Sequence, residues 1–190
     1  MTSIKESHFI YVFSIKKQFT HFISGFQLQF KMEPLPINPK EKIRYHIDAL
    51  FGAGTADCLP EDFQFEWSAR TGRIKCVLIE NNLVATFRTD GGIALTIFGA
   101  TALVKGSFFK ENCVIPCEEA IPFVSEGRSL FCKHVEWCGS NIKIGSEVAL
   151  IDKNDRVIAT GKSLFGSKTM KMYCRGVAVK VREGIKSRVK

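Results

Sequence analysis

The sequence predicts an α+β protein in which a small mixed α/β domain is followed by a β pseudo-barrel. Two observations carry most of that expectation. Residues Lys40–Phe51 place apolar side chains at helical spacing just ahead of three short β-rich segments joined by hairpin-turn residues. The last third of the chain then breaks into several short strands and one short helix over about 75 residues, the pattern of a closed or half-closed barrel. Composition supports both: 45% hydrophobic and 24% charged residues in a chain of 190 exclude disorder or a fibrous repeat as whole-chain descriptions.

The elements follow in order. Residues 1–31 form a biased N-terminal extension that holds six of the sixteen phenylalanines. Its apolar stretch Phe9–Ile15 stops at Lys16-Lys17 with no small-residue cleavage pattern, which argues against a secretory signal. Phe19, Phe22, Ile23, Phe26 and Phe30 share one helical stripe, which allows an amphipathic helix against a membrane surface or a partner. The other reading is that Met32 is the natural start and the upstream stretch has no function. The proline-rich strap Glu33–Pro39 leads into the first domain, taken as residues 32–111. There Ile43, Ile47, Leu50 and Phe51 mark a helix closed by Gly52 and Gly54. Ile74–Ile79, Leu83–Arg88 and Ile93–Phe98 read as an antiparallel meander, and Gly99–Leu103 as one helical turn.

The second domain is taken as residues 112–187. Val114–Pro116 and Ile121–Val124 are short segments, and Ser129–Val135 suits a short helix buried on one side. Glu147–Asp152 and Arg156–Thr160 form a hairpin over Lys153-Asn154-Asp155, with Gly161 ending its second strand. Lys171–Arg175 and Gly176–Arg182 finish the domain. In the latter, Val177, Val179 and Val181 alternate with Ala178, Lys180 and Arg182, the period of a strand with one wet, basic face.

Charge is unevenly placed. Residues 1–31 carry four lysines and one glutamate, residues 32–111 nine cations and ten anions, and residues 112–190 fourteen cations and eight anions. A nearly neutral middle beside a basic C-terminal third fits either a merely soluble surface or a surface that meets a phosphate backbone. No run of 18 apolar residues occurs, which excludes an ordinary membrane span. Seven cysteines, an odd number at irregular spacing, cannot all pair and favour a reduced, cytoplasmic setting.

Particular residues carry a resemblance. Gly127-Arg128-Ser129-Leu130-Phe131-Cys132-Lys133, Gly145-Ser146-Glu147-Val148, Ala159-Thr160-Gly161, Met170 and Gly176–Gly184 resemble a PUA domain, the RNA-binding module of pseudouridine synthases and archaeosine transglycosylases. Phe51-Gly52-Ala53-Gly54, Thr71–Ile74, Phe87-Arg88, Asp90-Gly91, Leu95-Thr96 and Gly99-Ala100 resemble the accessory domain that precedes it in archaeal tRNA-guanine transglycosylases. Ala56 stands where that family tends to have a third glycine, and neither the catalytic barrel nor its aspartates and zinc ligands are visible in the sequence. The resemblance implies the tRNA-gripping end of such an enzyme without its chemistry, directed at the acceptor stem and 3′ end.

Elementary chemistry agrees. A-form RNA hides its bases, so a small domain reads it through 2′-hydroxyl and phosphate contacts and through unpaired ends. Gly127 and Gly176 would let backbone approach a sugar-phosphate strand closely, or would serve turn geometry alone. Arg128, Lys133, Arg175, Lys180 and Arg182 supply charge, with Lys168 and Lys171 as part of the same basic surface. Trp67 and Trp137 either stack on bases or pack at a core or its rim.

No catalytic residue, metal or cofactor is expected. Cys113, Cys117, Cys132 and Cys138 with His134 lack the paired spacing of familiar zinc sites, and Cys132 and His134 make a poor nucleophile–base pair on a helix. Asp48, Asp57, Glu61, Asp62, Glu66 and Asp90 are acids without visible partners. The leading expectation is a non-catalytic RNA-binding protein, with tRNA the first choice of partner, beside a tRNA-modifying enzyme or a translation component and away from membranes. An RNA-modifying enzyme that uses its middle domain, and a protein-interaction adaptor, remain as alternatives. A chain beginning at Met32 is expected to match the full chain in melting temperature and RNA affinity; a loss of several degrees overturns this.

Overall fold

The computed structural model describes residues 38–187, so the expectations placed on residues 1–31, on Met32 and on the strap up to residue 37 lie outside the described residues. Helix α1 (Pro39–Phe51) starts on Asn38, whose side chain accepts from the Lys40 amide at 2.9 Å, and Pro39 sits in the first turn, where its missing N–H is no loss. Ile43, Ile47 and Phe51 form its buried stripe.

A four-stranded antiparallel sheet follows in the order β1 (Gln64–Trp67), β2 (Ile74–Ile79), β3 (Asn82–Phe87), β4 (Ile93–Leu95). Its tightest turn places Glu80 and Asn81 at φ 49° and 65°, the left-handed pair that a two-residue hairpin needs. The third expected strand is shorter than its sequence suggests. Thr96 ends it by capping α2 (Ile97–Val104), with its hydroxyl oxygen accepting from the Gly99 amide at 3.0 Å, so Ile97 and Phe98 are helical and the helix runs two turns rather than one.

The second sheet has six strands in the order β6 (Leu130–Phe131), β10 (Val177–Gly184), β9 (Val157–Ser163), β8 (Glu147–Ile151), β5 (Cys113–Pro116), β7 (Val135–Cys138). All its pairs are antiparallel except β5 with β8. Its two outermost strands, β6 and β7, are separated in the chain only by a 3-10 turn at Cys132–His134, so the sheet curls nearly shut into a pseudo-barrel. Two short helices, α3 (Ile121–Ser125) and α4 (Ser167–Met172), complete the domain.

Three expectations are corrected here. Ser129–Val135 is not a helix: Leu130 and Phe131 pair with Val179 and Val177, and only the 3-10 turn follows. Gly161 lies inside β9 instead of ending it, because β10 passes so close that a Cβ there would collide with the Lys180 carbonyl oxygen. Ala178 is fully buried along with Val179, while Val177 is only half-buried, so the exposed residues of β10 are Lys180 and Arg182.

Two cores result. One lies between α1, α2 and the four-stranded sheet, and it also takes in Cys113, Ala149, Ile151 and Val157 from the barrel's outer surface. The other fills the barrel with Val148, Leu150, Ile158, Ala159, Val179 and their neighbours. β8 therefore turns alternate side chains into different cores, which explains its five consecutive buried residues. At its start sits Glu147, with only 4% of its side chain exposed. Its carboxylate accepts from the Leu95 amide at 2.9 Å and from the guanidinium of Arg182, which also donates to the Leu95 carbonyl. Burial pushes the Glu147 carboxyl up from its ordinary value, and Arg182 opposes that shift.

Replacing Arg182 by Met should destabilise the fold at pH 7 by up to about 3 kcal/mol, less than for a fully enclosed pair because the Arg182 side chain keeps 40% exposure. The raised carboxyl sets the sign: Glu147 is a net stabiliser only when protonated, and that contribution is lost as pH rises through its folded value. The deficit of the variant should accordingly shrink as pH falls from 7 toward 5, read from urea melts at each pH. An undiminished deficit at low pH overturns this.

Candidate nucleic-acid interface

The positions singled out by sequence fall into three groups. The first gathers at the junction of β6 and β10. Phe131 pairs with Val177, and the Cys132 amide donates to the Gly176 carbonyl at 2.9 Å. Lys133 and Arg175, the chain neighbours of the two residues in that hydrogen bond, are both exposed. Gly176 at φ 92° makes the tight entry to β10 beside Phe165, whose ring stacks on Tyr173 with centroids 6.0 Å apart. Gly127 at φ 95° has a different task. Its amide donates to Val124 and the Arg128 amide to Phe123, which closes the end of α3, so turn geometry accounts for it.

Arg128 lies over the Phe123 ring, 5.3 Å from its centroid, with Glu126 at 3.5 Å. Beside it opens a cavity of about 280 Å³ lined by Glu119, Phe123, Arg128, Leu130, Phe131 and His134, among others. Phe123 and Phe131 are large apolar rings left exposed. Exposed aromatic faces next to a guanidinium are what an unstacked base can lie on.

The second group, Lys168 and Lys171, is exposed on α4, which packs against β7. The chain stays exposed from Lys171 through Met172 and Tyr173 to Gly176, so Lys171 and Arg175 share one exposed stretch. The third group departs from expectation. Lys180 and Arg182 do not form a free cationic row: Arg182 is held by buried Glu147, while Lys180 faces Lys162 across β9. Arg182 is a joint between the domains, a role the strand alternation gives no hint of.

One site escaped sequence reasoning. Trp67, 53% exposed at the end of β1, borders a cavity of about 270 Å³ with Lys42, His46, Gly72, Arg73, Phe87 and Arg88. The slightly negative charge of residues 32–111 masks this basic, aromatic cleft, because their acids lie elsewhere or are spoken for. Asp48 accepts from the Ala56 amide at 2.7 Å, Glu61 pairs with Arg44 at 2.9 Å, Glu66 with Lys75 at 3.2 Å and Asp90 with Arg88 at 2.6 Å. Backbone donation from Gly92, with Arg88 nearby, holds the Asp90 carboxyl below its usual range. Trp137, by contrast, is half-buried and packs on the first core.

The cysteines do not assemble into the four-thiolate set considered from spacing. Cys113 and Cys138 donate separately to the carbonyls of Phe109 and Ser167. His134 meets Cys117 rather than Cys132, with Nδ1 3.4 Å from Sγ. Burial pushes the Cys113 thiol up to about 12, so it should resist iodoacetamide in the folded protein while exposed Cys174 is modified first. Mass-mapped alkylation checks the order, and early labelling of Cys113 contradicts the structure.

Comparison with known proteins fits this architecture. Residues 114–185 match the PUA domain family, and residues 41–109 match the patch-forming domain C2 of tRNA-guanine transglycosylase. The tRNA-guanine(15) transglycosylase of Methanothermobacter thermautotrophicus is 33% identical over 150 residues, covering 78% of this chain and 23% of that protein. That of Thermococcus onnurineus is 34% identical over 151 residues, covering 77% and 26%. The chain thus spans about a quarter of the length of these relatives. Among solved structures, a hypothetical protein from Pyrococcus horikoshii superposes with a TM-score of 0.64 at 21% identity, covering 80% of this chain and 92% of that one. A conserved PUA domain protein from Thermoplasma acidophilum gives 0.55 at 17% identity, covering 78% and 91%. These likenesses establish the fold. With both of its domain types matched, the chain is a PUA-domain protein whose PUA domain follows a domain of the transglycosylase C2 family.

Proposed function

We propose that this protein binds structured RNA, with tRNA as its target, and supplies grip rather than chemistry. The reading treats residues 32–111 as the accessory domain and residues 112–187 as the PUA domain. The observation that carries it is the β6–β10 junction, where the Cys132 amide holds the Gly176 carbonyl, exposed Lys133 and Arg175 are the adjacent residues in the chain, and Phe131 lines the aromatic cavity of Arg128. Lys168 and Lys171 extend the cationic surface along α4, and the Trp67 cleft offers a second aromatic and basic contact. Relatives named for action on tRNA carry the same two domains, which favours tRNA over other RNAs. The acceptor stem with its unpaired 3′ end suits a surface that combines phosphate-binding cations with a ring-lined cavity. A cytoplasmic place beside a tRNA-modifying enzyme or a translation component follows from that partner.

The test is the salt dependence of tRNA binding. Replacing both Lys133 and Arg175 with Gln should weaken binding and make the slope of log affinity against log salt shallower by roughly 0.7 to 0.9 per lost phosphate contact. Folding should be nearly unchanged, since both side chains are exposed. Lys180→Gln, which stands opposite Lys162 on β9, should change the slope less. An unaltered slope in the double variant would sink the placement of the site.

A further inference from the structure

We propose that Cys117, Glu119 and His134 form a zinc site at the edge of the barrel cavity. These residues lie in two short segments. Cys117 follows β5, Glu119 sits in the 3-10 turn Glu118–Ala120, and His134 ends the 3-10 turn before β7. A hydrogen bond from the Cys117 amide to the His134 carbonyl, 2.8 Å, ties the two segments together independently of the side chains. The side chains then converge. One donor atom from each of the three lies within 4.8 Å of the other two.

The hydrogen-bonded Cys117–His134 contact also has the separation that a bound metal would require. A tetrahedral zinc with a Zn–S bond of about 2.3 Å and a Zn–N bond of about 2.0 Å separates its sulfur and nitrogen ligands by about 3.5 Å. The Cys117 Sγ to His134 Nδ1 distance is 3.4 Å, so two corners of the tetrahedron stand in place without movement. Glu119 is exposed and has no ion pair among the described residues, whereas its neighbour Glu118 is paired with Lys153 at 3.0 Å. One thiolate, one imidazole and one carboxylate form a mixed set that suits a borderline-soft divalent ion and is unsuited to calcium or magnesium, which take oxygen ligands.

Glu119 and His134 also line the cavity of about 280 Å³ beside Arg128, which provides an entry path and room for a water at the fourth position. Binding requires the thiol: the Cys117 proton leaves as the Zn–S bond forms, and the imidazole lends its Nδ1 lone pair. The ion would pin the end of β5 to the turn that links β6 and β7, at the closure of the barrel.

The full chain, stripped with a chelator and then titrated with Zn²⁺ against a chromophoric competitor, should take up one ion per chain. Co²⁺ should give a thiolate-to-metal charge-transfer band. Cys117→Ser should abolish that band, and His134→Gln and Glu119→Gln should each weaken Zn²⁺ binding by more than about tenfold. Cys174→Ser and His46→Gln, remote in the chain from these ligands, should leave it unchanged. A second measurement needs no variant: saturating Zn²⁺ should slow alkylation of Cys117, mapped by mass spectrometry, without slowing that of Cys174, and should raise the melting temperature. No stoichiometric uptake, a charge-transfer band that survives in Cys117→Ser, or equal alkylation of Cys117 with and without Zn²⁺ would each overturn the site.

Discussion

A single carboxylate holds the two halves of this molecule in register. Glu147 is buried at the start of β8, where an unpaired charge would be prohibitive, and it is satisfied from both sides of the seam. The Leu95 amide comes from the first sheet and the guanidinium comes from β10 of the barrel. Because the same guanidinium also reaches the Leu95 carbonyl, the end of β4 can adopt only one position relative to the barrel. Thr160 repeats the constraint by donating its hydroxyl to that carbonyl at 3.1 Å. Apolar packing supplies the bulk of the adhesion between the domains, and these polar contacts supply its geometry.

Around that seam the charges separate by task. Cations that carry structure are paired: Arg44 donates to the carbonyls of Ala56 and Leu59 as well as to Glu61, and Arg182 is committed to Glu147. Lys133, Lys168, Lys171 and Arg175 instead stand exposed on the barrel. Net charge alone cannot separate these two populations. Location relative to a buried acid can.

The legibility of the sequence varied for physical reasons. Helix α1, the β2–β3 hairpin and the β8–β9 hairpin were readable because each is specified locally, by a cap, by Asn81 and by Asp155 in left-handed turns. β1 escaped notice because Gln64–Trp67 is an edge strand with one half-buried residue in four, too weak an alternation to stand out. Ser129–Val135 misled for the opposite reason: Leu130 is buried by a partner nearly fifty positions away in β10, a contact no local period encodes. The same holds for the candidate sites. The glycines and arginines of the PUA pattern could be named in advance, whereas the structural role of Arg182 depends on Glu147, thirty-five residues distant, and the meeting of Cys117 with His134 on a strand pairing.

β8, with a core on each of its faces, has a consequence for recognition. A strand shared by two hydrophobic interiors cannot shift toward one without opening a void in the other, so the barrel and the first sheet are denied a hinge at their junction. The Trp67 cleft and the β6–β10 junction are therefore fixed in separation and angle, like the jaws of a locked calliper. An RNA that touches both must bring its own two contact points to that gauge, and a polynucleotide of the wrong span would be refused by length before any base is read.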